Sequence, residues 1–275
     1  SLYIVPLGID YENHFSMNAD ILLNVGEPIN IKEYYDEYLK NNADTINKLT
    51  NEIGTQLKDL VLDITDGENY EEIYFILHRT PLKSKNTIAK FNERKNKLSK
   101  LKTIQETNLK KYKEILSSAK LLKSFVEKHK IRASLFEKSP MSLIKLSSLC
   151  LLMITFLPIH LMTLFTNYIP YKIPVWFVEK KIKDKHFHGS LKQALGVMLF
   201  IGYWSIILLL TLIIFGWMYT VLIAILLPVF AKFNFNYWIQ IIKLRGAWRF
   251  RQVLKLENYI EAQKAYENIQ KNLSF

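Results

Sequence analysis

The sequence predicts an α+β fragment followed by a mostly α membrane region, and three observations carry that reading. Thirty-nine consecutive residues, Gln193 to Ala231, hold no charged side chain. Two short apolar, β-branched runs lie near the start, Leu2 to Ile9 and Ile21 to Val25, bounded by Asn, Asp and Gly. The stretch between Pro81 and Pro140 contains neither Gly nor Pro. The chain accordingly divides into four parts. A sheet-and-helix part covers 1–80, and a basic long helix or helical hairpin covers 81–140. A membrane region with two apolar blocks covers 141–237, and a basic amphipathic helix covers 238–275.

The two apolar runs have strand length and strand composition. Apolar residues on both faces of the first predict burial on both sides. Pro6 cannot donate to a ladder, so it belongs at an edge, an end or a bulge. Two strands are too few for a stable sheet, so partners are expected from elsewhere. The chain opens on Ser1 with neither a basic region nor an apolar targeting run, and reads as a piece of something longer.

Ile46, Leu49, Ile53, Leu57, Leu60 and Ile64 recur at spacings of three and four, which is one apolar face of a helix. Asn42 and Asp44 are candidate N-caps, and Asp66-Gly67 is a stop signal. Tyr70 to His78 adds a further turn or two. Within 81–140, Leu98, Leu101, Gln105, Leu109, Tyr112, Leu116 and Ala119 keep a heptad-like seam, predicting coiled-coil-like packing. Eighteen Lys and Arg lie between 81 and 145. They suit either a membrane-facing arm or a solvated face of a helix with a core-facing stripe.

A bilayer core takes about 20 apolar residues of helix to cross, so Gln193–Ala231 is too long for one span and sufficient for two. Gly216, within Phe215-Gly216-Trp217, is the predicted turn. Leu146 to Thr166 is a second charge-free block about one span long, with Pro158 and His160 inside it. Asn167 to Pro174 follows as a rigid aromatic loop, and the basic-aromatic residues after Trp238 are expected in the headgroup region.

Charge divides the chain. Residues 1–80 carry a net −10 and residues 81–275 a net +22. Because the basic part also holds the apolar blocks, anionic headgroups of a lipid bilayer are the expected partner. Nucleic acid is not, since no recognition motif is present. Segments 81–145, 172–192 and 232–275 are all positive, at +13, +4 and +5. The positive-inside rule then predicts a re-entrant hairpin kinked at Pro158 followed by a helical hairpin, with every basic segment on the cytoplasmic side.

Candidate chemistry is sparse. Cys150 is the only cysteine, so no disulfide forms within the chain. His186-x-His188 beside Asp184 lacks a third metal ligand at a diagnostic spacing, so no metal site is expected. His160, in an apolar block, marks either a function or a partner for a backbone carbonyl freed by Pro158. Ser147, Ser148 and Ser205 have no nucleophile-elbow context, and no glycine-rich phosphate loop occurs.

One ordered set of residues has a family likeness. Tyr3-Ile4-Val5-Pro6-Leu7-Gly8-Ile9-Asp10-Tyr11, then Phe15, then Val25-Gly26-Glu27-Pro28-Ile29, resembles the C-terminal part of a glycerolipid acyltransferase domain. That superfamily acylates glycerol 3-phosphate and 1-acylglycerol 3-phosphate. The likeness covers residues 1–64 and implies a partial acyltransferase α/β domain in which Val5 and Pro6 support the substrate pocket. It implies an acyl donor (acyl-CoA, acyl carrier protein or acyl phosphate) and a glycerol-phosphate acceptor, with no further cofactor. Members also hold a His-x-x-x-x-Asp block, whose His is the base, and a Glu-Gly-Thr-Arg block that holds the acceptor phosphate. Both would precede the Val-Pro strand, so no catalytic residue is assigned within this chain. His14 followed by Asp20 imitates the pair, but with one residue too many and on the wrong side of the strand. The alternative reading is a non-enzymatic membrane scaffold that binds a partner through its 82–139 coiled coil.

Overall fold

The computed structural model describes residues 2–11, 20–184 and 187–273. Helix dominates it, as expected, and the order of elements follows the predicted sequence of strands, soluble helices and long apolar helices.

The first part is one long hairpin, interrupted midway. β1 (Tyr3–Ile4) pairs antiparallel with β4 (Ile29–Asn30), and β2 (Leu7–Tyr11) pairs with β3 (Ile21–Val25). Between the two ladders Val5-Pro6 faces Gly26-Glu27-Pro28, two residues against three, so the register shifts by one. Neither proline has an N–H to give, and the ladder is bridged there by Gly26 N–H donating to Pro6 O at 2.9 Å. α1 (Tyr35–Lys40) leads into α2 (Asn42–Leu60). The cap of α2 is Asn41, one residue ahead of the expected positions, its side chain accepting from Asp44 N. α2 ends at Leu60, so Ile64 leaves the predicted stripe and packs on the bundle described next.

That bundle is the hydrophobic core. It is built from α3 (Tyr70–Arg79), α4 (Thr87–Thr107), α5 (Leu109–His129) and α9 (Tyr259–Leu273), joined by Phe250 and Val253. The 81–140 segment is therefore a helical hairpin, not one long helix. It breaks at Asn108, whose side chain accepts from Lys111 N at 2.9 Å and starts α5. Of the predicted seam, Leu98, Leu101, Tyr112, Leu116 and Ala119 are buried. Gln105 and Leu109 beside the break are not. The C-terminal helix turns an apolar face inward. Ala262, Ala265, Tyr266, Ile269 and Leu273 are buried in α9, which packs on α5.

Among the described residues three helices are long and apolar enough to cross a membrane: α6 (Leu143–Lys181), α7 (His188–Phe215) and α8 (Trp217–Val253). Gly216 makes the predicted turn between the last two, with φ +85°, a value that glycine adopts without steric cost. α6 corrects two expectations. The chain does not turn at Pro158, and residues 167–174 form helix rather than a loop. A proline removes one donor from its helix and orphans the carbonyl four residues back. Pro170 does this to Thr166, and the indole N–H of Trp204 supplies the missing bond at 3.3 Å. Neighbouring helices commonly repair prolines this way in lipid. α7 lies against the later half of α6, where Lys192 pairs with Glu179 at 2.8 Å and Tyr203 donates to Phe165 O at 3.0 Å.

Candidate functional site

The hairpin turns its two faces to different surroundings. Leu7, Ile9, Ile21, Leu23 and Val25 alternate with Gly8, Asp10, Leu22 and Asn24, and cross-strand partners such as Leu7 and Val25 fall on one face. The apolar set is the exposed one: Val25 is 63% exposed, and the others of that set are at least half exposed. This overturns the expectation of burial on both sides. Gly8, Asp10 and Asn24, with the half-buried Leu22, are instead on the face toward the protein's own helices.

The inner contacts are close and directional. A Cβ on Gly8 would stand 2.4 Å from the Leu60 carbonyl oxygen, so only glycine lets α2 approach this strand. Asn24 donates to the same carbonyl at 2.8 Å. Asp10 pairs with Arg94 of α4 at 3.2 Å, both side chains nearly buried. Next to Arg94, Glu93 accepts the N–H groups of Lys83 and Ser84 at 3.1 Å each. Burial pushes the Glu93 carboxyl up, but those backbone donors outweigh it and hold the group below its ordinary value. Burial pushes the Lys97 ammonium down, opposed by Glu93 at 3.7 Å. These ions fasten the hairpin and the 81–86 loop to α4, and their burial leaves them no substrate to meet.

Val5 and Pro6 lie at the ladder interruption. Pro6 is buried against Gly26, while Val5 is exposed. They are adjacent to the apolar face, and neither offers a proton-transfer group. Asn13, His14 and Phe15 lie outside the described residues, as does His186. Among the described residues no three His, Cys, Asp or Glu side chains gather into a metal-binding group. His188 contacts the Ile182 carbonyl at 2.9 Å, across the connection between α6 and α7. His160 is buried between α6 and α8, its ring stacked on Tyr237 at 4.1 Å, with no partner for Nδ1.

Sequence reasoning missed an open groove of about 750 Å³ on the bundle, lined among others by Asp66, Glu68, Glu72, Tyr112, Lys113 and Lys120. Its most ordered acid is structural. Asp66 accepts from Tyr112 Oη at 2.7 Å and from the Asn69 side chain at 2.9 Å, closing the approach to α3. Those bonds, Tyr112's first, hold the Asp66 carboxyl below its ordinary 3.8. Such a group stabilises the fold fully above its unfolded-chain value, and the contribution is lost as pH falls through the lower folded value. Unfolding midpoints taken between roughly pH 5 and pH 2.5 should therefore drop for the native chain, and Asp66→Asn should flatten that drop. An unchanged slope in the variant would remove Asp66 from the acid sensitivity.

Comparison with protein-family models, with curated proteins and with solved structures finds no match to this chain.

Proposed function

We propose that this chain is the membrane-seated part of a glycerolipid acyltransferase, contributing the last strands of the acyl-transfer domain and its anchor. The observation that carries the reading is the hairpin with its apolar face outward. Seven apolar side chains (Tyr3, Val5, Leu7, Ile9, Ile21, Leu23 and Val25) stand exposed while the inner face is pinned to α2 and α4. A sheet needs more than two strands and a cover for such a face. The acyltransferase likeness names the cover: the strands bearing the His-x-x-x-x-Asp and Glu-Gly-Thr-Arg blocks. The complete enzyme moves a fatty acyl group from a thioester or acyl phosphate to a glycerol-phosphate or lysophosphatidate hydroxyl. Its acceptor and product are amphiphiles, and long apolar helices beside a basic bundle concentrate them at anionic headgroups. In this reading the soluble parts face the cytoplasm.

The scaffold alternative has less to support it. The seam through which the 82–139 coiled coil would hold a partner is occupied by α3 and α9 of the same chain.

The coding sequence upstream of Ser1 tests the proposal first, with both catalytic blocks expected in frame. In the enzyme so completed, Pro6→Ala should raise the acceptor KM or lower the melting temperature and leave kcat within about tenfold, since Pro6 has no group that moves a proton. An upstream frame without the two blocks sinks the proposal. A kcat loss of about a thousandfold at unchanged KM and melting, the size expected for a transition-state group, would show that the Val-Pro segment has been assigned the wrong role.

A further inference from the structure

α6 and the later half of α8 run antiparallel and in contact. Phe233 lies against Phe156, Tyr237 donates to Met153 O at 2.6 Å, and Arg251 donates to Met141 O at 2.6 Å. Whatever depth the first half of α6 takes in a membrane, residues 232–251 of α8 take it too.

That part of α8 is not suited to hydrocarbon. Lys232, Asn236, Gln240 and Lys243 follow at spacings of four, four and three, which is one face of a helix, and all four are exposed. The stripe runs about 16 Å along the axis. A lysine-bearing stripe facing outward needs water or headgroups along its whole length. A helix normal to the bilayer would carry the Lys232 end of this stripe deep among acyl chains, whereas a helix in the plane of the surface keeps both ends wet.

α6 is apolar on several sides, with Ile154 and Leu161 also more than half exposed, and its four most exposed large apolar residues form one row. Ile144, Leu151, Met162 and Phe165 stand at i, i+7, i+18 and i+21 on one side of the helix, and each is at least 67% exposed. The contact of Phe156 with Phe233 sets the Lys232 end of the stripe level with about Leu157, and beyond it residues 158–171 remain uncharged before the exposed Lys172. Fourteen residues of helix reach about 21 Å, short of the roughly 30 Å hydrocarbon core.

We propose that α6 does not cross the bilayer. It lies along one leaflet with residues 232–253 of α8 and, by the same contacts, residues 192–204 of α7, with the row Ile144, Leu151, Met162 and Phe165 facing down, while the uncharged residues 205–231 of α7 and α8 enter the hydrocarbon. The leaflet is one rich in anionic headgroups, because residues 232–253 carry Lys232, Lys243, Arg245, Arg249 and Arg251 and no acidic residue. Both hydrophilic flanks of α6 then share a side of the membrane, which the predicted kink at Pro158 is not needed to achieve. No catalytic property enters this inference, so it stands or falls apart from the acyl-transfer reading.

Spin labels placed singly at Ile144, Leu151, Met162 and Phe165 in a Cys150→Ser chain test it. The full chain is reconstituted in phosphatidylcholine vesicles containing phosphatidylglycerol, and label depth is read from relaxation by oxygen and by a polar nickel chelate. The four depths should agree and be shallow, about 5–10 Å below the headgroups. A crossing helix would instead separate Ile144 from Phe165 by up to about 31 Å, and a steady drift of depth along the four sites overturns the proposal. Ser84→Cys and Lys181→Cys, each in the same background, should react with an impermeant thiol reagent from the same side of sealed vesicles. Reaction from opposite sides overturns it as well.

Discussion

Replacing Ile269 by Ala should loosen the helical bundle by about 2–5 kcal/mol, the range for emptying a filled aliphatic site. Ile269 is 1% exposed and belongs to the cluster that includes Ile115 and Leu122 of α5. α9 brings five buried side chains to α5 from a point more than a hundred residues along the chain, with the membrane helices between. Its packing therefore closes the soluble part around both ends of the membrane region. Hydrogen exchange of α5 amides in detergent measures the effect. Amides that exchange through bundle opening should speed up by roughly 30- to 5,000-fold, since each 1.4 kcal/mol is a factor of ten. If α9 were an interfacial helix, α5 protection would stay unchanged and only binding to vesicles would fall. That result would dismiss the packing described here.

The sequence made some of this legible and concealed the rest for identifiable reasons. A buried stripe such as Leu98, Leu101, Tyr112, Leu116 and Ala119 announces that a face is covered, but periodicity carries no information about the cover. The seam read as a coiled-coil arm is filled by α3 and α9, whose own stripes are equally mute about their partner. Asn108 was the available signal for the break between α4 and α5, because a side chain that caps the next helix competes with the helix it would interrupt. The prolines misled in the opposite direction. Pro158, Pro170 and Pro174 read as breaks by the rules of water, yet all three sit inside α6. The Trp204 indole that rescues the Thr166 carbonyl comes from another helix, 38 residues away, which no local rule foresees. The hairpin was half legible. Its two runs read as strands, but apolar residues counted on both faces of the first suggested burial on both sides and hid the alternation of Leu7, Ile9 and Tyr11 with Gly8 and Asp10, whose apolar side points away from the protein's own helices. The helices of the uncharged run and the break at Gly216 were legible, because a run that satisfies every backbone group internally has to be helix.

Arg94→Met should cost about 3–5 kcal/mol, the loss seen when one partner of a buried ion pair is removed. The Arg94 and Asp10 side chains are only 4% and 11% exposed, and their 3.2 Å contact joins β2 to α4. The hairpin has little apolar surface with which to hold its inner face. Gly8 contributes no side chain, Asn24 and Asp10 are polar, and Leu22 alone of that set is apolar. Directional pins therefore do what a hydrophobic contact does elsewhere, and cutting the strongest takes the Arg94 charge from beside the nearly buried Asp10 carboxylate. The double variant Asp10→Leu with Arg94→Met should recover most of that loss, because replacing both charges by apolar groups of similar size is often neutral. Chemical denaturation of the native chain, Arg94→Met, Asp10→Leu and the double variant, with exchange at β2 and β3 amides as a local readout, closes the cycle. A single variant as stable as the native chain, or a double variant whose loss equals the sum of the two single losses, would mean that the pair does not hold the hairpin. If the pair does hold it, Arg94→Met also detaches the outward apolar face from its support. In the proposed enzyme that face meets the catalytic strands, so the same substitution should weaken acyl transfer through lost assembly. Asp10→Leu with Arg94→Met should restore that activity together with the stability, which a residue acting on the chemistry itself would not allow.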